Sequence, residues 1–183
     1  MKLTTQMHHA RQGIHTKAIQ QAAELEQISV ETLMTLIAQG MAVLPANRNH
    51  ISLIGRAIGN GLRTKINVNR GISEDASDYE REYAKVERAI SLGADAIMDL
   101  SCFGDTSGFR RMVTSMSPVM IGTVPVYDAM AKRDYAIRDL TVDDFFRSVE
   151  EHAEDGVDYM TIHAGVTMRS EEHTSELQSP NTI

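Results

Sequence analysis

The sequence predicts an α/β fold in which parallel strands alternate with helices. Four short runs rich in β-branched and aliphatic residues are separated by segments with the helical spacing of apolar residues. Glycine or proline stands at most junctions between them. Two junctions, SLGADAIMDL and EDGVDYMTIH, share the order helix, glycine, small apolar residue, aspartate, strand. This echo indicates a repeated α-to-β unit.

The first forty residues are predicted to be helical. Thr16 and Ser29 each stand where a side-chain oxygen can cap the following helix, and Gly40 is a stop signal. A loop rich in Asn and Gly follows. The β-branched run TKINVN (64–69) is then predicted as the first buried strand.

The middle of the chain continues the alternation. Asp78 is predicted to cap a helix that ends at Gly93, and ADAIMDL follows as the second strand. A helix is predicted over 106–116. Pro118 ends it, and VMIGTV (119–124) is the third strand.

The last unit begins at Thr141, which has Asp144 three residues later as in a capping box. The helix is predicted over 141–155 and the fourth strand is VDYMTI (157–162). The apolar positions of this helix, expected to be buried, are Val142, Phe145, Phe146 and Val149. Since a (β/α)8 barrel normally needs about 250 residues, four such units predict the first half of a TIM-like barrel preceded by N-terminal helices.

The chain is expected to have three parts. Residues 1–60 form an N-terminal helical segment and loop, and residues 61–168 hold the four βα units. Residues 169–183, RSEEHTSELQSPNTI, have no hydrophobic period and can be encoded by a common sequencing-library adapter read in frame. We expect this tail to be non-native and to pack poorly.

Composition narrows the class of protein. The chain is 42% hydrophobic and 23% charged with a net charge of −7, of which the tail contributes one Arg and three Glu. Scattered basic residues and mild acidity disfavour nucleic-acid binding. No apolar run of membrane-spanning length and no secretory signal are seen, so a cytoplasmic protein that does not bind membranes is expected. The single cysteine, Cys102, cannot form an internal disulfide or hold a metal cluster alone.

Polar or unusual side chains stand at the ends of all four predicted strands. Strand-end capping and turn formation explain any one of them, but their joint placement on one rim favours a site for a small polar substrate. The residues are Asn67, Asn69, Met98, Asp99, Ser101, Thr123, Tyr127, His163 and Gly165. They do not by themselves identify a reaction.

The segment GNGLRTK (59–65) places glycines beside Arg63 and Lys65. A phosphate cradle has its glycines after a strand and before a helix, whereas here they precede a strand. We therefore interpret the segment as a flexible loop with solvated bases.

Several segments closely resemble the phosphomethylpyrimidine synthase family across residues 4 to about 168. They are TQMHHARQGI, PANRNH, GNGLRTKINVNRG, GADAIMDLS, MSPVMIGTVPVYDA and EDGVDYMTIHAGVT. IGTVPVYDA and GVDYMTIHAG are specific to that family rather than to barrels in general. TQM begins close to Met1, as in the short form that lacks an extra N-terminal domain.

The resemblance implies a radical S-adenosylmethionine lyase of thiamine biosynthesis. In such enzymes a [4Fe-4S] cluster and S-adenosylmethionine convert 5-amino-1-(5-phospho-D-ribosyl)imidazole, an aminoimidazole ribotide, to 4-amino-2-methyl-5-phosphomethylpyrimidine. The resemblance also implies zinc or a similar divalent metal, an electron donor such as flavodoxin or ferredoxin, and a homodimer of the full-length protein.

The family's substrate-binding residues fall on Asn69, Met98, Tyr127 and His163, and no catalytic residue is assigned. The implied roles are hydrogen bonds from Asn69 and Tyr127 to imidazole or ribose atoms, packing of Met98 on the ring, and orientation of a hydroxyl or phosphate by His163.

The chain also departs from the family pattern. NVNRG and MDLSCFGD differ from the commoner forms beside contact residues, and the C-x-x-C-x4-C motif, the SRGG loop and the metal-binding histidines are absent. Three alternatives stay open: a 5-hydroxybenzimidazole synthase acting on the same substrate, a radical-free barrel lyase or isomerase, and an inactive truncated half-barrel.

Overall fold

A computed structural model of the chain describes residues 5–131 and 140–163. Within these residues the helices are α1 (Gln6–Arg11), α2 (Lys17–Glu26), α3 (Val30–Ala38), α4 (Tyr79–Ser91), α5 (Thr106–Met116), α6 (Pro125–Ala131) and α7 (Val142–Glu154). The strands are β1 (Ala42–Val43), β2 (Ile58–Gly59), β3 (Asn67–Arg70), β4 (Ala96–Asp99), β5 (Met120–Thr123) and β6 (Tyr159–Met160).

The strands β3 to β6 form a parallel sheet in chain order. One helix follows β3, another follows β4, and α6 and α7 lie between β5 and β6. The predicted α/β class with a parallel sheet and N-terminal helices is thus confirmed. Parallel strands adjacent in chain order are consistent with part of a (β/α)8 barrel. The short antiparallel pair β1–β2 before the sheet was not predicted from the sequence.

The two faces of the sheet differ because side chains alternate along a strand. Val68, Ile97 and Ile121 are paired in register and face the helices, where they pack in a cluster with Val86 and Phe109. The other face, here called the inner face, carries no helix of this cluster. The row of this face that lies nearer the carboxyl ends of the strands is paired in register across all four. It consists of Asn69, Met98, Gly122 and Tyr159.

Four of the predicted helix starts are confirmed by their caps. Thr16, Ser29, Asp78 and Thr141 each accept a hydrogen bond from the backbone N–H three residues later. At Thr141 the bond is reciprocal, since the Asp144 side chain accepts from the Thr141 backbone in a capping box.

The aspartates of the two repeated junctions have the same structural role. Asp95 precedes β4 and accepts from the backbone N–H of Ile66 at 2.9 Å. Asp158 precedes β6 and accepts from the backbone N–H of Ile121 at 2.8 Å. Each carboxylate therefore links the start of its own strand to the neighbouring strand by a hydrogen bond, at the amino end of the sheet.

Side chains that precede the sheet in the sequence reach these carboxylates. Arg63 donates to Asp95 at 2.9 Å, and His50 lies 2.7 Å from Asp158. Lys65 is also buried and pairs with Glu26 at 2.7 Å. The interpretation of 59–65 as a loop with solvated bases is therefore wrong for Lys65, because its side chain is buried in an ion pair with Glu26 of the N-terminal segment.

The expected burial of the apolar face of α7 is wrong at two positions. Val142 is 70% exposed and Phe146 59% exposed. The buried side chains of α7 are instead Ser148 and His152. The Ser148 hydroxyl donates to the Pro125 carbonyl at 3.0 Å, so the inward face of this helix is hydrogen-bonded to α6.

Some strand boundaries also differ. The first strand of the sheet, β3, lies later than the predicted 64–69, and β6 is two residues long where 157–162 was expected. The predicted tail over 169–183 lies outside the described residues. Within the described parts of the chain, no helix combines the length and apolar character that crossing a membrane requires.

Candidate functional site

Asn69 and Met98 are direct neighbours on the inner face. The two residues are paired in register on β3 and β4, one position before each strand ends. Asn69 is exposed and Met98 is half-buried. The predicted site residues of the first two strands thus place an amide and a thioether side by side at the carboxyl edge of the sheet.

Tyr127 and His163 form a second pair. Tyr127 lies in the first turn of α6, just after β5, and His163 follows β6 by three residues. Their ring centroids are 6.3 Å apart with an interplanar angle of 37°. All four predicted site residues therefore follow or end parallel strands, which is the edge where α/β proteins place ligands.

A cavity of about 490 Å³ lies on the inner face beside Met98. Its walls are formed by inner-face side chains, including Asn67, Met120 and Tyr159, and by the segment 58–65. The volume is in the range of small-molecule sites. Of the four predicted site residues only Met98 lines this cavity, and its neighbours there, Asn67 and Met120, are the first residues of their strands.

Tyr159 reaches across the sheet. Its hydroxyl on β6 donates to Asn67 Oδ1 on β3 at 3.0 Å, although β5 and β4 lie between them. In a flat sheet those strands would stand about 14 Å apart, so the contact shows a strongly curved sheet. The ring passes over Gly122, where any Cβ would collide with it. Burial, followed by the charge of Asp158, raises the Tyr159 pKa to about 12.

Comparison with known proteins assigns the chain to a family. The model of the Radical SAM ThiC family matches residues 5–181. The chain belongs to this family. The resemblance to phosphomethylpyrimidine synthases is thereby confirmed.

Several curated relatives with the name phosphomethylpyrimidine synthase come from clostridia. The chain is 52% identical over 166 residues to the protein from Clostridium perfringens (strain ATCC 13124), covering 91% of this chain and 38% of the relative. It is 49% identical over 172 residues to that from Clostridium tetani, covering 94% and 38%. For the Clostridium botulinum (strain Hall) protein the figures are 48% over 170 residues, 93% and 39%. The chain thus spans well under half the length of these relatives.

Two of the strand-end residues in this ThiC-family chain are structural. Asp99 is buried and accepts hydrogen bonds from both the backbone and the hydroxyl of Ser101. Burial raises the Asp99 pKa, against the opposing effect of the Ser101 hydrogen bonds. The capping interpretation therefore holds for this pair, and the strand register turns Asp99 away from the inner face.

A buried polar cluster supports the helix that carries Tyr127. His152 on α7 lies 2.8 Å from Thr123 Oγ1 and 2.9 Å from Asp128 Oδ2. Arg110 on α5 donates to Asp155 at 2.8 Å and lies 3.6 Å from Asp128. Sequence reasoning singled out Thr123 at a strand end but missed its partners, because they come from separate elements and no local pattern joins them.

The chain lacks the cysteines that hold the family's iron–sulfur cluster, and its described residues, 5–131 and 140–163, do not fit a divalent metal. Cys102 is the only cysteine and is exposed, whereas a [4Fe-4S] cluster is held by several thiolates. In the part of the chain that the structure describes, no group of three His, Cys, Asp or Glu side chains is placed to hold a metal ion.

Proposed function

We propose that this chain is the N-terminal part of a phosphomethylpyrimidine synthase, a radical S-adenosylmethionine lyase of thiamine biosynthesis. The proposed reaction converts 5-amino-1-(5-phospho-D-ribosyl)imidazole to 4-amino-2-methyl-5-phosphomethylpyrimidine, with release of formate and carbon monoxide. The observation that carries the proposal is 52% identity to the Clostridium perfringens protein of that name over 91% of this chain.

The side chains at the carboxyl ends of the strands support a role in holding this substrate. Asn69 and Tyr127 are proposed to hydrogen-bond imidazole or ribose atoms, and Met98 to pack against the imidazole ring. His163, beside Tyr127, is proposed to orient a hydroxyl or phosphate. Hydrogen abstraction needs the substrate C–H bond held close to the attacking carbon, so rigid positioning matters more here than acid–base strength.

The cofactor side of the proposed reaction belongs to residues outside this chain. A [4Fe-4S] cluster would supply the radical by cleaving S-adenosylmethionine, and this chain lacks its cysteines. We also propose zinc or a similar metal, a flavodoxin or ferredoxin as reductant, and a homodimer for the whole enzyme. This chain contributes to substrate binding.

The division of the chain is proposed to follow the predicted boundaries at residues 60 and 168. Two separate hydrophobic clusters support the first boundary. One draws its buried residues from Ala10 to Ala57, and the other from Ile72 to Ile121. The segment 169–183 is proposed to be non-native because it has no hydrophobic period and can be encoded by a sequencing-library adapter read in frame, although the family model matches as far as residue 181.

The test uses the complete reading frame that contains this chain. The purified protein, with its cluster reconstituted under anaerobic conditions, is supplied with the aminoimidazole ribotide, S-adenosylmethionine and reductant, and products are identified by mass spectrometry. We expect the phosphomethylpyrimidine. A benzimidazole product would identify the protein as a 5-hydroxybenzimidazole synthase, and no turnover of the ribotide would contradict both assignments.

The residue roles are tested in the same assay. Tyr127→Phe and His163→Ala are expected to raise the KM for the ribotide about tenfold, since each removes a substrate hydrogen bond. His15→Ala is the control, because His15 is exposed in the loop before α2. Equal KM values for His163→Ala and His15→Ala would contradict the assigned role.

A further inference from the structure

A line of hydrogen bonds crosses the inner face and ends at Asn69. The Tyr159 hydroxyl donates to Asn67 Oδ1 at 3.0 Å. The Asn67 Nδ2 group in turn donates to Asn69 Oδ1 at 3.1 Å. These three side chains lie on β6 and β3, the two outer strands of the sheet. Both hydrogen bonds run in the same direction, with the donor on the Tyr159 side of each.

This direction matters because an asparagine amide presents an acceptor on one side and two donor hydrogens on the other. Tyr159 occupies the acceptor of Asn67, so Asn67 offers its N–H to its neighbour. Asn69 then turns its oxygen toward Asn67. Its own Nδ2 hydrogens are left for another acceptor.

We propose that Tyr159 and Asn67 are positioning residues that set the amide orientation of Asn69, so that Asn69 meets the substrate as a hydrogen-bond donor. The substrate atom recognised would be an acceptor, such as an unprotonated imidazole nitrogen or a ribose oxygen. This inference rests on the proposed function, in which Asn69 contacts the aminoimidazole ribotide.

The packing around Tyr159 keeps the line intact. Gly122 on β5 leaves room for the ring, because a side chain there would occupy its position. Ala96, a small residue in register with Asn67, lines the same cavity. A Tyr159 pKa of about 12 keeps the hydroxyl protonated, and thus a donor, throughout the neutral range.

Two substitutions in the complete enzyme test the two links. Tyr159→Phe removes the first donor. Asn67→Asp retains an acceptor for Tyr159 but cannot donate, so Asn69 is expected to turn its Nδ2 toward Asp and to face the substrate with its oxygen. The matched control is Tyr83→Phe, which deletes a hydroxyl that bonds Met116 Sδ on the helix side of the sheet.

We expect the KM for the ribotide to rise about fivefold in Tyr159→Phe and about tenfold in Asn67→Asp. The KM for S-adenosylmethionine and the unfolding midpoint should stay unchanged, and Tyr83→Phe should match the wild type. Because the links act in series, the double variant should be no worse than Asn67→Asp alone.

An active wild-type enzyme whose two variants keep a KM within twofold would overturn the inference and leave the proposed function standing. Additive effects in the double variant would also overturn it. A wild-type enzyme that does not turn over the ribotide overturns both. If Asn67→Asp does not fold, Tyr159→Phe tests the inference alone. A KM for the ribotide within twofold of the wild-type value would then overturn it.

Discussion

Replacing His50 should weaken the attachment of the N-terminal segment to the sheet. The His50 side chain is fully buried. Its Nδ1 lies 2.7 Å from Asp158 Oδ2, and its Nε2 lies 2.8 Å from the Ser117 carbonyl. A carbonyl oxygen only accepts, so Nε2 carries a hydrogen. When the ring is protonated, Nδ1 also carries a hydrogen and donates to Asp158.

The magnitude follows from the burial of both partners. Removing one member of a buried ion pair costs about 3–5 kcal/mol, because the other charge stays buried without its partner. In His50→Ala, Asp158 keeps hydrogen bonds from the Asn47 and Ile121 backbone N–H groups. We therefore expect the lower end, a loss of about 3 kcal/mol in the free energy of unfolding.

The pH dependence gives a second readout. Burial lowers the His50 pKa, but the hydrogen bond and charge of Asp158 outweigh it, so the pKa lies above its ordinary value. The raised pKa means that the contribution to stability is fully present below about pH 6.5, the unfolded value. It is lost as the pH rises through the folded value.

The assay is urea unfolding of the chain, followed by circular dichroism from pH 5.5 to 9. The difference between wild type and His50→Ala should be largest at pH 5.5 and should shrink at alkaline pH. His50→Asn can restore one N–H donor without charge and should lie between them. An alanine variant that loses under 1 kcal/mol at pH 5.5, or a difference that grows with pH, would refute the reasoning.

Other predictions concern the sheet. Gly122→Ala should displace the Tyr159 ring and lower the unfolding midpoint, which thermal unfolding measures. Phe109→Ala should lower the free energy of unfolding by about 3–5 kcal/mol, as measured by urea unfolding. The Phe109 ring is buried in the hydrophobic cluster between the sheet and its helices. Burial raises the Asp95 pKa, but the hydrogen bonds to Asp95, led by that from Arg63, have the larger effect. The pKa therefore lies below its ordinary value. Asp95→Asn should therefore cost about 1 kcal/mol at pH 7, discounted because Arg63 is half-exposed, and this difference should vanish in acid.

Helix starts were predictable because their determinants are local. At Thr16, Ser29, Asp78 and Thr141 the cap joins residues three apart, so the sequence contains both partners. Strand bounds were less predictable, as at β6, because a strand extends only as far as its neighbour pairs with it.

The candidate site was predictable only in outline. Strand-end position identified Asn69 and Met98 separately, and the sheet register makes them neighbours. Tyr159 was missed, since an aromatic residue in a short strand is more often a core residue than a site residue. The prediction of which face of α7 points inward was wrong for a similar reason. The spacing of apolar residues predicted that Phe146 would be buried. The side chains buried on α7 are instead polar ones that form hydrogen bonds with other elements.

By itself the sequence determined the alternation of helices and parallel strands, the capped helix starts and the family. It also indicated the repeated aspartates without showing what they bind. Only the tertiary structure decided that Tyr159 reaches Asn67, 92 residues away, and that His50 meets Asp158. The physical reason is distance along the chain: caps and periods are properties of a few consecutive residues, whereas these contacts depend on the register and curvature of the whole sheet.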